Sequence, residues 1–169
     1  MAQSFQDDME ISFDPGGQPF ETKATLAPPD KEVRLTVVDS RLNRPFKNAD
    51  GEWRQTLNLI FSIDDDEIRE ELNLDDPRGS HTVWLEIDPK WDGEGPPPLV
   101  HGKPNQNLSF GKALEAFGLN DGQHPIKLPS MFMHEQCWGR TGRSTNDEDR
   151  YTPIVALGKS ETAVSRRRR

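Results

Sequence analysis

Three stretches of this chain alternate apolar and polar residues with a period of two, and that pattern restricts it to a β-rich fold. From Glu32 to Ser40, Val33, Leu35 and Val37 alternate with Arg34, Thr36 and Val38. From Trp53 to Ile63, the positions Trp53, Leu57, Leu59, Phe61 and Ile63 share one face, and Arg54, Thr56 and Asn58 share the other. From His81 to Asp88, Val83, Leu85 and Ile87 oppose Thr82, Trp84 and Glu86. Side chains on a strand point alternately to its two faces, so each stretch predicts a strand with one face in a core. The first two are separated by Asn43, Pro45 and Asn48-Ala49-Asp50-Gly51, a set of turn formers that predicts a hairpin with a long, irregular turn.

The rest of the chain adds one firm helix and two more strands. Ser109 to Phe117 has Phe110, Leu114 and Phe117 on one side, Asn107 or Ser109 available as its cap, and Gly118 after its end. The remaining strands are expected at about Met131 to Trp138 and Tyr151 to Leu157, joined by the polar turn Thr141 to Arg150. A short helix is expected in Asp64 to Leu72, where the leading acids suit the positive end of a helix and Ile68 and Leu72 fall on one side. Three strands, a helix and two strands is the element order of an OB-fold, and an open α+β sandwich has the same order. The expected class is therefore mostly β, a β-rich α+β protein: a five-stranded OB-like barrel or sandwich with one helix between strands 3 and 4.

That element map divides the chain into three parts. Residues 1–30 contain Pro15-Gly16-Gly17, Pro19 and Pro28-Pro29 and read as a mobile arm, in which Ile11 and Phe13 suggest a short edge strand. Residues 31–159 read as one OB-like domain, with an acidic insert at 64–80 and a Pro/Gly-rich loop at 89–107 of the length that loops with a function often have. Residues 160–169 read as a disordered basic tail with nothing to bury.

Composition narrows the class of function. Apolar residues make up 32% and charged residues 30%, so the core is confined to part of the chain. No apolar run approaches the ~20 residues that span a bilayer. The acidic N-terminus lacks the apolar stretch of a secretory signal. Cys137 is the single cysteine, which rules out an intrachain disulfide and suits a reducing interior. Residues 1–100 hold 22 acids against 10 Lys and Arg, whereas residues 101–169 hold 7 against 11. A net charge of −8 argues against general affinity for polyanions, but a local basic patch acts over a Debye length of ~8–10 Å.

No catalytic, metal or cofactor site is expected. His134 and Cys137 have ligand-like spacing, but a closed zinc site needs a second pair. Gly111-Lys112 lacks the preceding glycine and the following Ser or Thr of a phosphate loop. No nucleophile elbow is present, and Asp64-Asp65-Asp66-Glu67 misses the calcium-loop spacing. What remains is a face for nucleic acid. Trp53, Trp84, Trp91 and Trp138 are interleaved with Arg34, Arg54, Arg140 and Arg143, and Arg166, Arg167, Arg168 and Arg169 add a basic terminus. Aromatic rings stack bases, and arginines attract phosphate. Trp53 is in phase with Leu57 and Phe61 and reads as core. Trp84 is out of phase with its apolar neighbours, and for Trp84 and Trp138 both core and surface stay open.

The segment Ser109-Phe110-Gly111-Lys112-Ala113-Leu114-Glu115-Ala116-Phe117-Gly118-Leu119 is similar to a helix shared by a widespread set of small phage-encoded proteins. In those proteins a Leu-containing link and a strand ending in a small residue, Cys or Val, and Gly follow, as in Leu128 and Gln136-Cys137-Trp138-Gly139 here. A preceding strand carries an aromatic, as in His81-Thr82-Val83-Trp84. The resemblance covers roughly residues 32–159. It implies an OB-like module that binds single-stranded DNA or assists replication and recombination without catalysis. It further implies phage or host replication and recombination proteins as partners, in the cytoplasm of an infected bacterium, with no membrane role and with homo-oligomerisation open. The acidic insert and the Pro-rich loop depart from the family pattern. The alternative is a protein–protein adaptor acting through the acidic surface of its N-terminal half, such as a virion component or a host-inhibiting DNA mimic.

Overall fold

A computed structural model describes residues 19–165. The expected edge strand at Ile11 and Phe13 and the terminal Arg166 to Arg169 lie outside the described residues. Six strands are present among them: β1 (Glu32–Leu42), β2 (Phe46–Lys47), β3 (Trp53–Ile63), β4 (Arg78–Glu86), β5 (Gln136–Thr141) and β6 (Thr152–Gly158). Helices are α1 (Asp66–Leu72), α2 (Leu108–Ala116) and α3 (Glu161–Val164), with a 3-10 turn at Ser130–Phe132.

The strands close on themselves. β1 pairs with β3 and with β5, β5 with β6, β6 with β4, and β4 with β3, so five strands form a ring and the two-residue β2 extends β3 on the outside. All pairings in the ring are antiparallel except β4 with β6, which run parallel at Gly79↔Thr152 and Ser80↔Pro153. One strand serves two neighbours because β1 bends. Its first half, Glu32 to Thr36, pairs with β5, and its pairing with β3 shifts register between Val37 and Asp39. A bulge of this kind adds a bend and twist to a strand. Five strands closed in this order, with a helix between the third and fourth long strands, make a mostly β protein with an OB-like barrel.

The inward phase read from the sequence fills the barrel. Val33, Leu35, Val37, Leu57, Leu59, Phe61, Ile63, Val83 and Leu85 are fully buried. α2 and the 3-10 turn pack against this core, with Phe132 set between Phe110 and Phe117 at ring-centroid distances of 6.3 and 5.2 Å. Two glycines make closure possible. A Cβ on Gly139 of β5 would lie 2.9 Å from Ile154 Cγ2 and closer still to Leu35 Cδ1, and one on Gly79 of β4 would lie 2.9 Å from Ile154 Cδ1. Ile154 thus occupies the place where β4, β5 and β6 converge, and a side chain at either glycine would force it to shift.

Four details depart from the sequence reading. The fourth long strand begins at Gln136 rather than Met131, because Ser130–Phe132 coils to bury Phe132 and His134 takes a positive φ of 66°. The third long strand is shifted towards the N-terminus, spanning Arg78–Glu86. Residues 27–30 are tied to the barrel rather than free: Ala27 N–H donates to Thr152 Oγ1 (2.9 Å), Thr141 Oγ1 donates to Pro28 O (2.7 Å), and Asp30 N–H donates to Thr141 O (2.9 Å). The segment after Gly158 does have something to bury: α3, capped by Ser160, packs on β1, β5 and β6 and buries Val164.

Within the acidic insert, Asp65 caps α1 by accepting from Ile68 N–H (3.0 Å), and Ile68 is buried. Asp64 and Asp66 both pair with Arg69, at 3.4 and 2.9 Å. Among the described residues no helix is long and apolar enough to cross a membrane.

Candidate nucleic-acid interface

The outward side chains of β3 and β4 form a ladder of rows, built by register. Phe46, Arg54 and Glu86 make the first row. Thr56 and Trp84 make the second, joined by Asn43, whose Nδ2 donates to Thr56 Oγ1 at 2.8 Å. Arg41, Asn58 and Thr82 make the third, with Thr82 Oγ1 donating to Asn58 Oδ1 at 3.1 Å.

Trp84 projects from the middle of this face. Its neighbours Val83 and Leu85 point into the core, and Trp84 itself is 52% exposed. Phe46, 40% exposed, stands beside it with centroids 6.3 Å apart at 72°. The backbone beneath Trp84 is held on both sides. β3 lies along one edge of β4. On the other, beyond the short pairing with β6, the start of α2 takes over. Trp84 N–H donates to Ser109 Oγ (3.1 Å) and Glu86 N–H to Asn107 Oδ1 (2.7 Å), while Asn107 Nδ2 donates to the carbonyls of Glu86 (2.9 Å) and Val100 (2.8 Å). The strand beneath the ring is therefore held in place, and the exposure of Trp84 puts the ring at the surface rather than in the core.

Loops flank the platform. Arg44 is exposed in the link between β1 and β2, whereas Lys47 of β2 is the register partner of Trp53, its Nζ 5.1 Å from the centre of that ring, and so faces away from the side that carries Phe46 and Arg54. Trp53 packs edge-on against Trp91 at 4.8 Å and is half-buried at the barrel end, so it is outside the core in which its phase placed it. The β5–β6 loop brings Arg143 and Tyr151 to a hollow shared with Ser80 and Thr82. That loop also holds Asp147, paired with Lys23 at 3.5 Å, and Asp149, bonded to Ser144.

The arginines on the ladder itself are all matched by carboxylates. Arg41 Nε pairs with Asp39 at 2.7 Å. Arg54 pairs with Glu52 at 2.7 Å and Glu86 at 4.0 Å and also donates to Trp53 O. Arg78 pairs with Asp76 at 2.8 Å. The Arg41 guanidinium holds the Asp39 carboxyl below its ordinary range. Burial alone would raise Asp76, but the Ser62 hydroxyl and Arg78 outweigh it and hold that carboxyl low as well. The face is thus polar and patterned in charge, not uniformly basic.

The other expected site residues fall elsewhere. Arg34 and Trp138 are register partners on β1 and β5, and the Arg34 guanidinium covers the Trp138 ring at 5.6 Å. Gly158, the partner of Trp138 on β6, meets Ala163 and Val164 of α3, so Trp138 lies on the face that α3 packs against. Arg140 pairs with Asp30 at 3.6 Å on the same side. Arg34 O bonds residue 64 next to the end of β3, and Trp84 pairs with residue 56. Eight residues of strand separate these positions, roughly 26 Å of path. Of the residues named from sequence, Arg54, Trp84 and Arg143 are thus brought to one region, and Arg34, Trp138 and Arg140 to another. Arg166 to Arg169 lie outside the described residues. Phe46 and Asn58 are the additions that sequence reasoning missed. Asn58 carries no signal beyond lying on the polar side of a strand, and Phe46 sits in a turn-rich segment with no periodicity to mark it.

Two further groups bear on chemistry. Cys137 is buried, and burial pushes its thiol up to about 12, so it stays protonated. His81 fills the gap where β4 and β6 part, with Nδ1 2.7 Å from Ile154 O, and burial lowers its pKa against a smaller opposing effect of that bond. No group of three or more His, Cys, Asp or Glu side chains able to hold a metal ion occurs among the described residues. No protein-family model, curated protein or solved structure matches this chain.

Proposed function

We propose that this protein binds single-stranded nucleic acid on the outer face of β3 and β4, without catalysis. The observation that carries the reading is Trp84: a half-exposed indole, on backbone held by Ser109 and β3, in the middle of the barrel face that OB-folds use for oligonucleotides and oligosaccharides. Phe46 offers a second ring, and Arg143, in the hollow it shares with Thr82, supplies a cation for phosphate. The module would serve as a phage-type replication or recombination accessory in the cytoplasm of an infected bacterium, alongside phage or host proteins of those processes.

The adaptor reading is favoured by one observation of its own, the pairing of Arg41, Arg54 and Arg78 with carboxylates, which leaves the ladder without excess positive charge. Fluorescence anisotropy with labelled single-stranded DNA, single-stranded RNA and duplex DNA at two salt concentrations separates the two. Binding of a single strand that is abolished in Trp84→Ala supports the nucleic-acid face. No binding of any of the three, by a folded protein, supports the adaptor.

A further inference from the structure

The carboxylates of this face point to a role of their own, one that rests on the nucleic-acid reading above. We infer that Asp39, Glu52 and Glu86 are specificity determinants that exclude duplex DNA and make single-strand binding depend on stacking. Each lies beside an arginine that would otherwise be free for phosphate: Asp39 2.7 Å from Arg41, Glu52 2.7 Å and Glu86 4.0 Å from Arg54. Arg54 and Glu86 stand in the row next to Trp84, and Arg41 stands in the row on its other side. The arginines in the two rows next to Trp84 are thus occupied by the protein itself.

The consequences differ for the two forms of nucleic acid. A duplex offers no free base face, so its affinity for a protein surface comes chiefly from phosphates, with release of counterions. Its charge density, one per ~1.7 Å of axis, is the higher of the two, and it meets three carboxylates here. A single strand can place an unpaired base on Trp84 and Phe46, with its backbone left to reach Arg143 of the β5–β6 loop. Like-charged groups placed against the wrong ligand are a general means of discrimination. Glu52 and Glu86 also hold Arg54 in place, because its guanidinium bridges them and the Trp53 carbonyl.

The test is the full chain carrying Asp39→Asn, Glu52→Gln and Glu86→Gln together, titrated against a labelled 20-nucleotide strand and its duplex at several salt concentrations. Wild type is expected to bind the strand at least tenfold tighter than the duplex. In the variant duplex affinity should rise by about tenfold and strand affinity by less. The duplex salt slope should steepen by about 1.8, which is two freed arginines at ~0.9 per phosphate. An unchanged strand-to-duplex ratio in a variant with a native unfolding midpoint overturns the inference and leaves the proposed function standing. If wild type binds neither form, the proposed function fails and the inference fails with it. Should the triple variant not fold, Asp39→Asn alone carries the test, since Asp39 holds Arg41 at 2.7 Å: a duplex slope steeper by about 0.9 supports the inference, and an unaltered one overturns it.

Discussion

At the residue scale, Trp84 and Gly139 show how one position can be read for function and another for fold. Trp84 is marked in the sequence by being apolar where its strand should be polar, and the structure shows it at the surface with 52% exposure. Replacing it with Ala leaves the core intact, so stability should change by less than ~1 kcal/mol. If the ring stacks a base, single-strand affinity should fall by about 1–3 kcal/mol. A denaturation curve and a binding isotherm on the same variant check both halves, and a large drop in stability would show that Trp84 is structural. Gly139 is the converse. Its missing Cβ leaves room for Leu35 and for Ile154, whose Cγ2 lies 2.9 Å from where that atom would sit. Gly139→Ala should cost about 1–3 kcal/mol through overpacking, read as a lower unfolding midpoint with binding intact at low temperature. Nothing in the sequence separates Gly139 from a turn glycine, because the atoms that crowd it come from β1 and β6.

At the scale of elements, the β4–β6 junction is the least paired part of the ring, with two register pairs and the His81 bond to Ile154. His81 has its pKa lowered by burial, so the unfolded chain, with a His pKa near 6.5, binds a proton more readily than the fold does. Its contribution to stability is therefore fully present above about pH 6.5 and fades as pH falls below that value, towards the lowered folded pKa. Urea midpoints at pH 8, 6.5 and 5 should decline on the acid side in wild type. The decline should be weaker in His81→Gln, and parallel curves would show that His81 does not link folding to pH here. Elements of this kind set the limits of sequence reading. Period two exposes β1, β3 and β4 because each buries a full face, and the run of Phe110, Leu114 and Phe117 exposes α2. The start of the fourth long strand is not legible, because Met131 and Met133 alternate like a strand while the chain in fact coils to seat Phe132 between two rings. α3 escapes notice because four residues with a single buried valine give no periodicity. Its place over the Trp138 face depends on Gly158, where β6 meets the chain after it. For the candidate site, phase singles out Trp84 and Arg54, but phase alone does not say which strands are neighbours. That is why Trp138, Arg34 and Arg140 group with them in sequence and not in space.

At the scale of the whole molecule, charge decides how any polyanion approaches. The chain carries −8 overall, and Arg166 to Arg169 contribute four of its 21 basic residues. With Arg41 and Arg54 occupied by their carboxylates, few cations remain on the face for phosphate, and a cluster of four guanidinium groups is a large addition to them. Exposed ion pairs hold only ~0–1 kcal/mol, so any pairing of these four with surface acids should yield to a polyanion. Removing residues 166–169 should therefore weaken single-strand binding. It should also flatten the plot of log K against log salt by up to ~3, at about 0.7 for each phosphate no longer neutralised. The fold offers no reason for stability to follow, since Val164, the last buried apolar residue described, is retained. An unchanged slope in the shortened chain would show that these arginines never meet phosphate. Tighter binding would show instead that they cover the acidic surface in a way that competes with the ligand.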